Sequence, residues 1–268
     1  VLLPARPNTG VVFLCGEGPK AVAIPACVES LAGARLATRL ASGSAHISTV
    51  EHLLATLSAG GFDNVTVETR GEELPVLDGS ALGWVELLRG AGRRELSAPR
   101  RFFEVRKTVE VVFENRRIRV SPGKGFSLCC EIDFPHPAIG RQRIEIEDLT
   151  PAVFERELAP ARTFGFESDV ETLRAAGLAR GASLENTVVL GDVGILNPEG
   201  LRWPDEFVRH KALDLVGDLA LLGGRLRGRV EVERGGHGLH HALLAALRAD
   251  PDAGGLTDAP DPVGEAPA

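Results

Sequence analysis

Residues 205–224 read DEFVRHKALDLVGDLALLGG, the strongest helical pattern in the chain. Phe207, Leu213, Leu215, Val216, Leu219 and Leu222 spread apolar side chains over much of its circumference, and Gly223-Gly224 supplies the stop. Such a helix is expected to be buried, yet His210, Asp214 and Asp218 fall at i, i+4 and i+8 and share one face. Two carboxylates and an imidazole are costly inside a protein unless they have partners. One reading is an internal polar network closed by Arg209 or Lys211. The other is a divalent cation, which His and Asp one turn apart can reach together. A cation needs a third ligand, because catalytic zinc commonly takes three from the protein and leaves a position for water.

A second helix is expected over 49–59, in STVEHLLATLSAGG (residues 48–61), where Leu53, Leu54 and Leu57 recur at helical spacing before another Gly-Gly stop. It carries Glu51 and His52 in its first turn. Locally, Ser48-x-x-Glu51 reads as a capping box. Of the six histidines besides His210, His46 and His136 lie in expected turns, and His240 and His241 are expected to be solvated. His52 stands on a structured helix beside an acid, which makes it the best candidate for the third ligand. Glu51 then becomes a candidate base toward water. His237 sits in RGGHGL, a strand-to-helix loop that either is a plain Gly-rich turn or holds an imidazole over a cleft.

Outward from these helices, strands precede helices in both halves of the chain. Short strands are expected over 1–30, at Asn64–Thr69, in FFEVRKTVEVVF, and in RIRVSPGKGFSLCCEIDF as a hairpin about Pro122–Gly125. A helix is expected around Leu82–Gly90, and the polar stretch 91–100 reads as a linker. The layout is two α+β units, 1–97 and 98–249, followed by an acidic Pro/Gly-rich tail, 250–268, expected to be disordered.

The net charge is −7, and five acids with no Lys or Arg lie from Asp250 onward, so the rest of the chain is nearly neutral. No basic block points to nucleic acid. No apolar run is long enough to span a membrane. Four cysteines, two of them adjacent at 129 and 130, fit reduced thiols in a cytoplasmic protein. The chain has no Met and does not open on one, which implies that its natural beginning lies outside this sequence.

Taken together, ISTVEHLLATLSAGGFDNVTVE, LPVLDGSA, DFPHPAIG, ARTFGFE, DEFVRHKALDLVGDLALLGG and GGHGLHHALL closely resemble the zinc-dependent UDP-3-O-acyl-N-acetylglucosamine deacetylases of lipid A biosynthesis, in register from about residue 2 to about 248. The resemblance implies a two-domain α+β fold, each domain a β-sheet layer on a helix layer, with the active site between them. It implies His52, His210 and Asp214 as zinc ligands, with ferrous iron suiting the same set. It implies Glu51 as general base, His237 as the cation that steadies the oxyanion and protonates the leaving amine, Asp218 as the acid that tunes it, and Thr163 as a hydroxyl donor to the oxyanion. Phe164 would line the catalytic centre, and Lys211, Phe134, Arg106 and Arg234 would contact the UDP-sugar. Phe166, Val170, Leu178, Ala179, Ser183 and Val189 would line an acyl-chain passage. The opening strand and histidine-bearing Gly-rich turn usual in that family are not in this sequence. A non-catalytic binding protein with the same cleft is the competing class, separated from the enzyme by bound zinc together with acetate release.

Overall fold

The computed structural model describes residues 1–175 and 181–258. The fold is α+β. The first part runs β1 (Leu2–Pro4), β2 (Val11–Cys15), β3 (Val22–Pro25), β4 (Leu31–Gly33), β5 (Arg39–Ser42), β6 (Ala45–Ser48), α1 (Glu51–Gly60), β7 (Val65–Thr69) and α2 (Leu82–Ala91). Its strands form one sheet in the order β1-β7-β2-β3 and a smaller one in the order β4-β5-β6. Helix α1 is buried on nearly every side, from Glu51 through Leu57, as its apolar composition requires. Gly61 ends it in the left-handed region (φ 73°), its amide donating to the carbonyls of Leu57 and Ser58.

After the 91–100 stretch the chain continues as β8 (Arg101–Val105), β9 (Val109–Phe113), β10 (Arg116–Ser121), β11 (Phe126–Phe134) and β12 (Gly140–Ile146). A short turn, α3 (Pro151–Val153), leads to β13 (Phe164–Phe166), α4 (Val170–Ala175) and β14 (Val188–Leu190). Then come α5 (Glu206–Leu219), β15 (Arg225–Glu233), α6 (His237–Ala249) and β16 (Gly254–Asp258). The large sheet has the order β12-β11-β15-β10-β9, with β8 beside the start of β15 and β16 beside β8. Helix α5 packs against α1, α6, β11 and β12, and so lies at the centre of the molecule. At its closest approach to α1 there is no side chain: a Cβ on Gly217 would sit 2.1 Å from the Glu51 carbonyl oxygen.

Three expectations change. The hairpin about Pro122–Gly125 does not form, because β15 lies between its arms, antiparallel to β10 and parallel to β11. The Pro-Gly-Lys-Gly segment bridges across β15: the Gly228 amide donates to the Gly125 carbonyl, and a Cβ on Gly123 would come within 3.1 Å of Gly228. The tail is not wholly disordered, since Gly254–Asp258 pairs with Arg101–Val105 as an added strand; residues 259–268 lie outside the described residues. The capping box is absent too. Val50 occupies the cap position of α1 without a side-chain bond, and Glu51 turns inward. The helix in 205–224 closes at Leu219, with a 3-10 turn over Ala220–Leu222. Among the described residues no helix is long and apolar enough to cross a membrane.

Candidate active site

The packing of α1 on α5 joins His52 to the stripe His210, Asp214 and Asp218, all buried. Asp214 Oδ1 lies 3.6 Å from His52 Nε2 and 3.4 Å from His210 Nε2, and the two rings meet edge-on with centroids 5.0 Å apart. His210 Nδ1 donates to the Ala161 carbonyl at 3.0 Å. Burial, outweighing Asp214, lowers the His210 pKa to about 3 and keeps the ring neutral. Its one N–H is therefore committed to Ala161, and the lone pair of Nε2 faces a carboxylate. His52 Nδ1 is buried with no hydrogen-bond partner among the described residues. The electron pairs of Asp214 and His210 aimed at each other, with His52 Nε2 turned to the same carboxylate oxygen, fit a divalent cation, and the backbone bond at Nδ1 orients His210 as a ligand. The ligand atoms of the three residues lie within 4.8 Å of one another. Lys211 Nζ holds the other oxygen of Asp214 at 2.8 Å. Burial opposes ionisation of Asp214, but the charges of Lys211 and His237 reverse this and hold its carboxyl well below the usual range.

Glu51 and His237 face the same space: one ligand atom each from Glu51, Asp214 and His237 also lies within 4.8 Å of the others. Glu51 Oε2 accepts the Thr38 amide at 3.1 Å. Burial raises its pKa, against the pull of His237 and His52. His237 opens α6 just after Gly235-Gly236, and its Nδ1 is 2.7 Å from Asp218 Oδ2. Burial would discharge this imidazole, but Asp218 prevails by charge and hydrogen bond and raises its pKa to about 10. Asp218 in turn falls well below the carboxylate range despite complete burial, held by its histidines.

The expectation that His240 and His241 are solvated is overturned. Because α6 begins at His237, positions i+3 and i+4 of that helix share its face and turn toward α5. His240 Nδ1 donates to the same Asp218 Oδ2 at 2.7 Å, and His241 Nε2 lies 2.9 Å from Thr38 Oγ1. Thr38, fully buried, completes the group by donating its hydroxyl to Asp218 Oδ1 at 2.5 Å. Nothing in the local sequence LATRL marks that threonine. For the histidines a signal existed: fixing the helix start at His237 would have put all three on one face.

The remaining expected residues fall into groups. Thr163 lies two residues beyond Ala161, its amide bonded to the Gly79 carbonyl at 2.8 Å. Phe164 packs edge-on against Phe134 and Phe207, sits 6.4 Å from the His210 ring, and lies under Lys211 Nζ at 5.5 Å. Phe166 continues this aromatic row beside Phe134 and His136. Val170 opens α4 and Val189 lies on β14, which pairs with β13; Ser183 is exposed. Leu178 and Ala179 lie outside the described residues. Arg234 reaches Asp133 Oδ2 at 2.5 Å, next to Phe134 on the rim of the large sheet. Arg106 is not drawn to this group: it leaves β8 exposed, with its guanidinium 3.4 Å from the Pro251 carbonyl.

Residues 1–249 match the family model LpxC, UDP-3-O-acyl N-acetylglycosamine deacetylase. The chain is similar to proteins named UDP-3-O-acyl-N-acetylglucosamine deacetylase from three bacteria. Identity is 43% with that of Syntrophotalea carbinolica, covering 94% of this chain and 81% of the relative. It is 44% with that of Myxococcus xanthus (93% and 79%) and 48% with that of Phenylobacterium zucineum (93% and 86%). With this agreement over nearly its whole length, the chain belongs to the LpxC family of deacetylases, amide hydrolases of lipid A biosynthesis.

Proposed function

We propose that this chain hydrolyses the N-acetyl amide of UDP-3-O-acyl-N-acetylglucosamine through Glu51, His237 and Asp218, set around a divalent ion held by His52, His210 and Asp214. The observation that carries the assignment is the convergence of Glu51, Asp214 and His237 on one buried space. When bound, the ion polarises the amide carbonyl and makes water a better nucleophile. Zinc is the proposed ion, and ferrous iron suits the same two imidazoles and carboxylate. Glu51, at the start of α1, takes the proton from the attacking water. Asp218 holds His237 through Nδ1, so the proton on Nε2 is the one free to face substrate. That imidazolium stabilises the oxyanion and then delivers its proton to the departing amine. The Thr163 hydroxyl is proposed as a second donor to the oxyanion.

The aromatic row of Phe134, Phe164 and Phe166, continued by Val170 and Val189, supports an apolar path for the acyl chain, to which Leu178, Ala179 and Ser183 are assigned by resemblance alone. Lys211 and Arg234, at its polar margin, are the proposed contacts to the UDP-sugar; Arg106 is held to that role only by resemblance. The proposed organisation is two units, 1–97 and 98–249, with β16 extending the second and the site where α1 meets α5. Four free cysteines support a reducing, cytoplasmic setting.

The test is metal analysis of the purified chain together with acetate release from the UDP-acyl-sugar. Glu51→Ala is expected to retain the ion while turnover falls by a factor on the order of 10²–10⁴. Parallel loss of ion and activity would make Glu51 a ligand instead. Metal binding without acetate release by the parent chain would favour the binding-protein reading.

A further inference from the structure

We propose that Thr38 is a positioning residue that ties the base and the acid dyad of this site together across the contact of α1 with α5. The proposal rests on the roles given above to Glu51, Asp218 and His237. Thr38 ends the connection between β4 and β5 and is fully buried. Its amide donates to Glu51 Oε2 at 3.1 Å and its hydroxyl to Asp218 Oδ1 at 2.5 Å, 180 residues away in sequence. One residue thus addresses both proton-transfer groups, through two different atoms.

The donor assignment follows from chemistry. An ionised carboxylate only accepts, so the single hydroxyl proton of Thr38 goes to Asp218. The lone pairs of Oγ1 then face His241 Nε2 at 2.9 Å and His237 Nδ1 at 3.3 Å. On Asp218 the two oxygens have different duties. Oδ2 receives Nδ1 of both His237 and His240, while Oδ1 receives Thr38, with His241 Nε2 farther off at 3.8 Å. The hydroxyl is therefore the close contact that stops the carboxylate from turning about its Cβ–Cγ bond. A turn would move Oδ2 and, with it, the imidazole that must meet the substrate. Thr is suited to this task because its branched Cβ restricts χ1. The bond to Glu51 comes from the backbone and survives side-chain replacement, so the hydroxyl's contribution is separable.

The experiment compares metal-loaded Thr38→Val, Thr38→Ser and His237→Gln with the parent in acetate-release kinetics, metal stoichiometry and thermal melting. Valine keeps shape and amide but removes the hydroxyl. It is expected to lower kcat by about 10- to 100-fold, the scale of a lost hydrogen bond to a charged group, with KM and metal content unchanged. Serine is expected to return kcat to within a few-fold of the parent. A Thr38→Val enzyme with parental kcat, or a serine variant impaired as deeply as valine, overturns the proposal. If Thr38→Val does not fold, Thr38→Cys, of similar size and a weak donor, is judged by the same loss and the same serine rescue. His237→Gln separates the two levels. If it is inactive while Thr38→Val is normal, Thr38 alone was misread; if His237→Gln is near normal, the role of the dyad falls and the proposal falls with it.

Discussion

One turn of α5 separates two buried groups of carboxylate and imidazole, centred on Asp214 and Asp218, and they are satisfied in opposite ways. Around Asp218 the nitrogens that approach the carboxylate are Nδ1 of His237 and of His240, each at 2.7 Å and each placed to donate. Around Asp214 the His210 proton points away, to Ala161, and leaves a lone pair 3.4 Å from the carboxylate. The same residue types on the same helix face thus make a proton-holding group at one turn and, at the previous one, a group suited to the proposed cation. A backbone carbonyl at Ala161 makes the difference. It fixes which nitrogen of His210 carries hydrogen, and a metal site is read from that choice more than from the identity of the side chains.

The comparison is broken most completely by His210→Ala. With one of the three proposed ligands gone, the ion is expected to leave and acetate release to drop to background, while the Asp218 group stays intact. Metal analysis beside the activity assay decides it. Full stoichiometry with full activity would mean that the proposed ligand set is wrong.

Asp218→Asn acts on the other group and is expected to show in the pH profile. In the proposed mechanism Glu51 works ionised, and burial lifts its pKa above the usual glutamate value, so activity is expected to rise with pH through that raised value. In the same mechanism His237 works protonated; burial would lower its pKa, but Asp218 raises it to about 10, so activity is expected to fall as pH rises through the alkaline limb. A cation in the neighbouring group draws both limbs downward. Asparagine removes the negative partner of His237. The alkaline limb is expected to move to lower pH, with kcat reduced and metal content retained. An unmoved alkaline limb would detach His237 from that limb.

These two groups also mark how far the sequence could be read. The stripe His210, Asp214, Asp218 was legible because helical spacing is local, and α5 formed where its apolar pattern placed it. The α+β class was legible for the same reason. The strand order was not: adjacency suggested that β10 and β11 pair, but β15, whose Val230 and Val232 are buried, takes the place between them. Ser48-x-x-Glu51 was a local signal that tertiary structure overrode, since Glu51 meets the Thr38 amide instead of capping. Thr38 itself had no local signal, because it lies in a strand-to-strand connection and its partner Asp218 is on a helix 180 residues along the chain. His240 and His241 were misjudged by a boundary: once α6 starts at His237, they share its face.

The smallest expected effect, and the one that most sharpens the comparison, comes from His240→Leu. His240 is buried and shares Asp218 Oδ2 with His237. Burial lowers its pKa despite that bond, so it sits there as a neutral donor competing for the oxygen that supports the imidazolium. Leucine fills similar space without donating. Oδ2 then belongs to His237 alone, a stronger hydrogen bond to the charged form favours that form, and the alkaline limb is expected to rise slightly, opposite in sign to Asp218→Asn. Metal content should not change, because His240 has no contact with His52, His210 or Asp214 among the described interactions. A downward shift would show that His240 serves to hold Asp218 in place more than it competes for it, and would put it with Thr38 among the residues that fix the carboxylate.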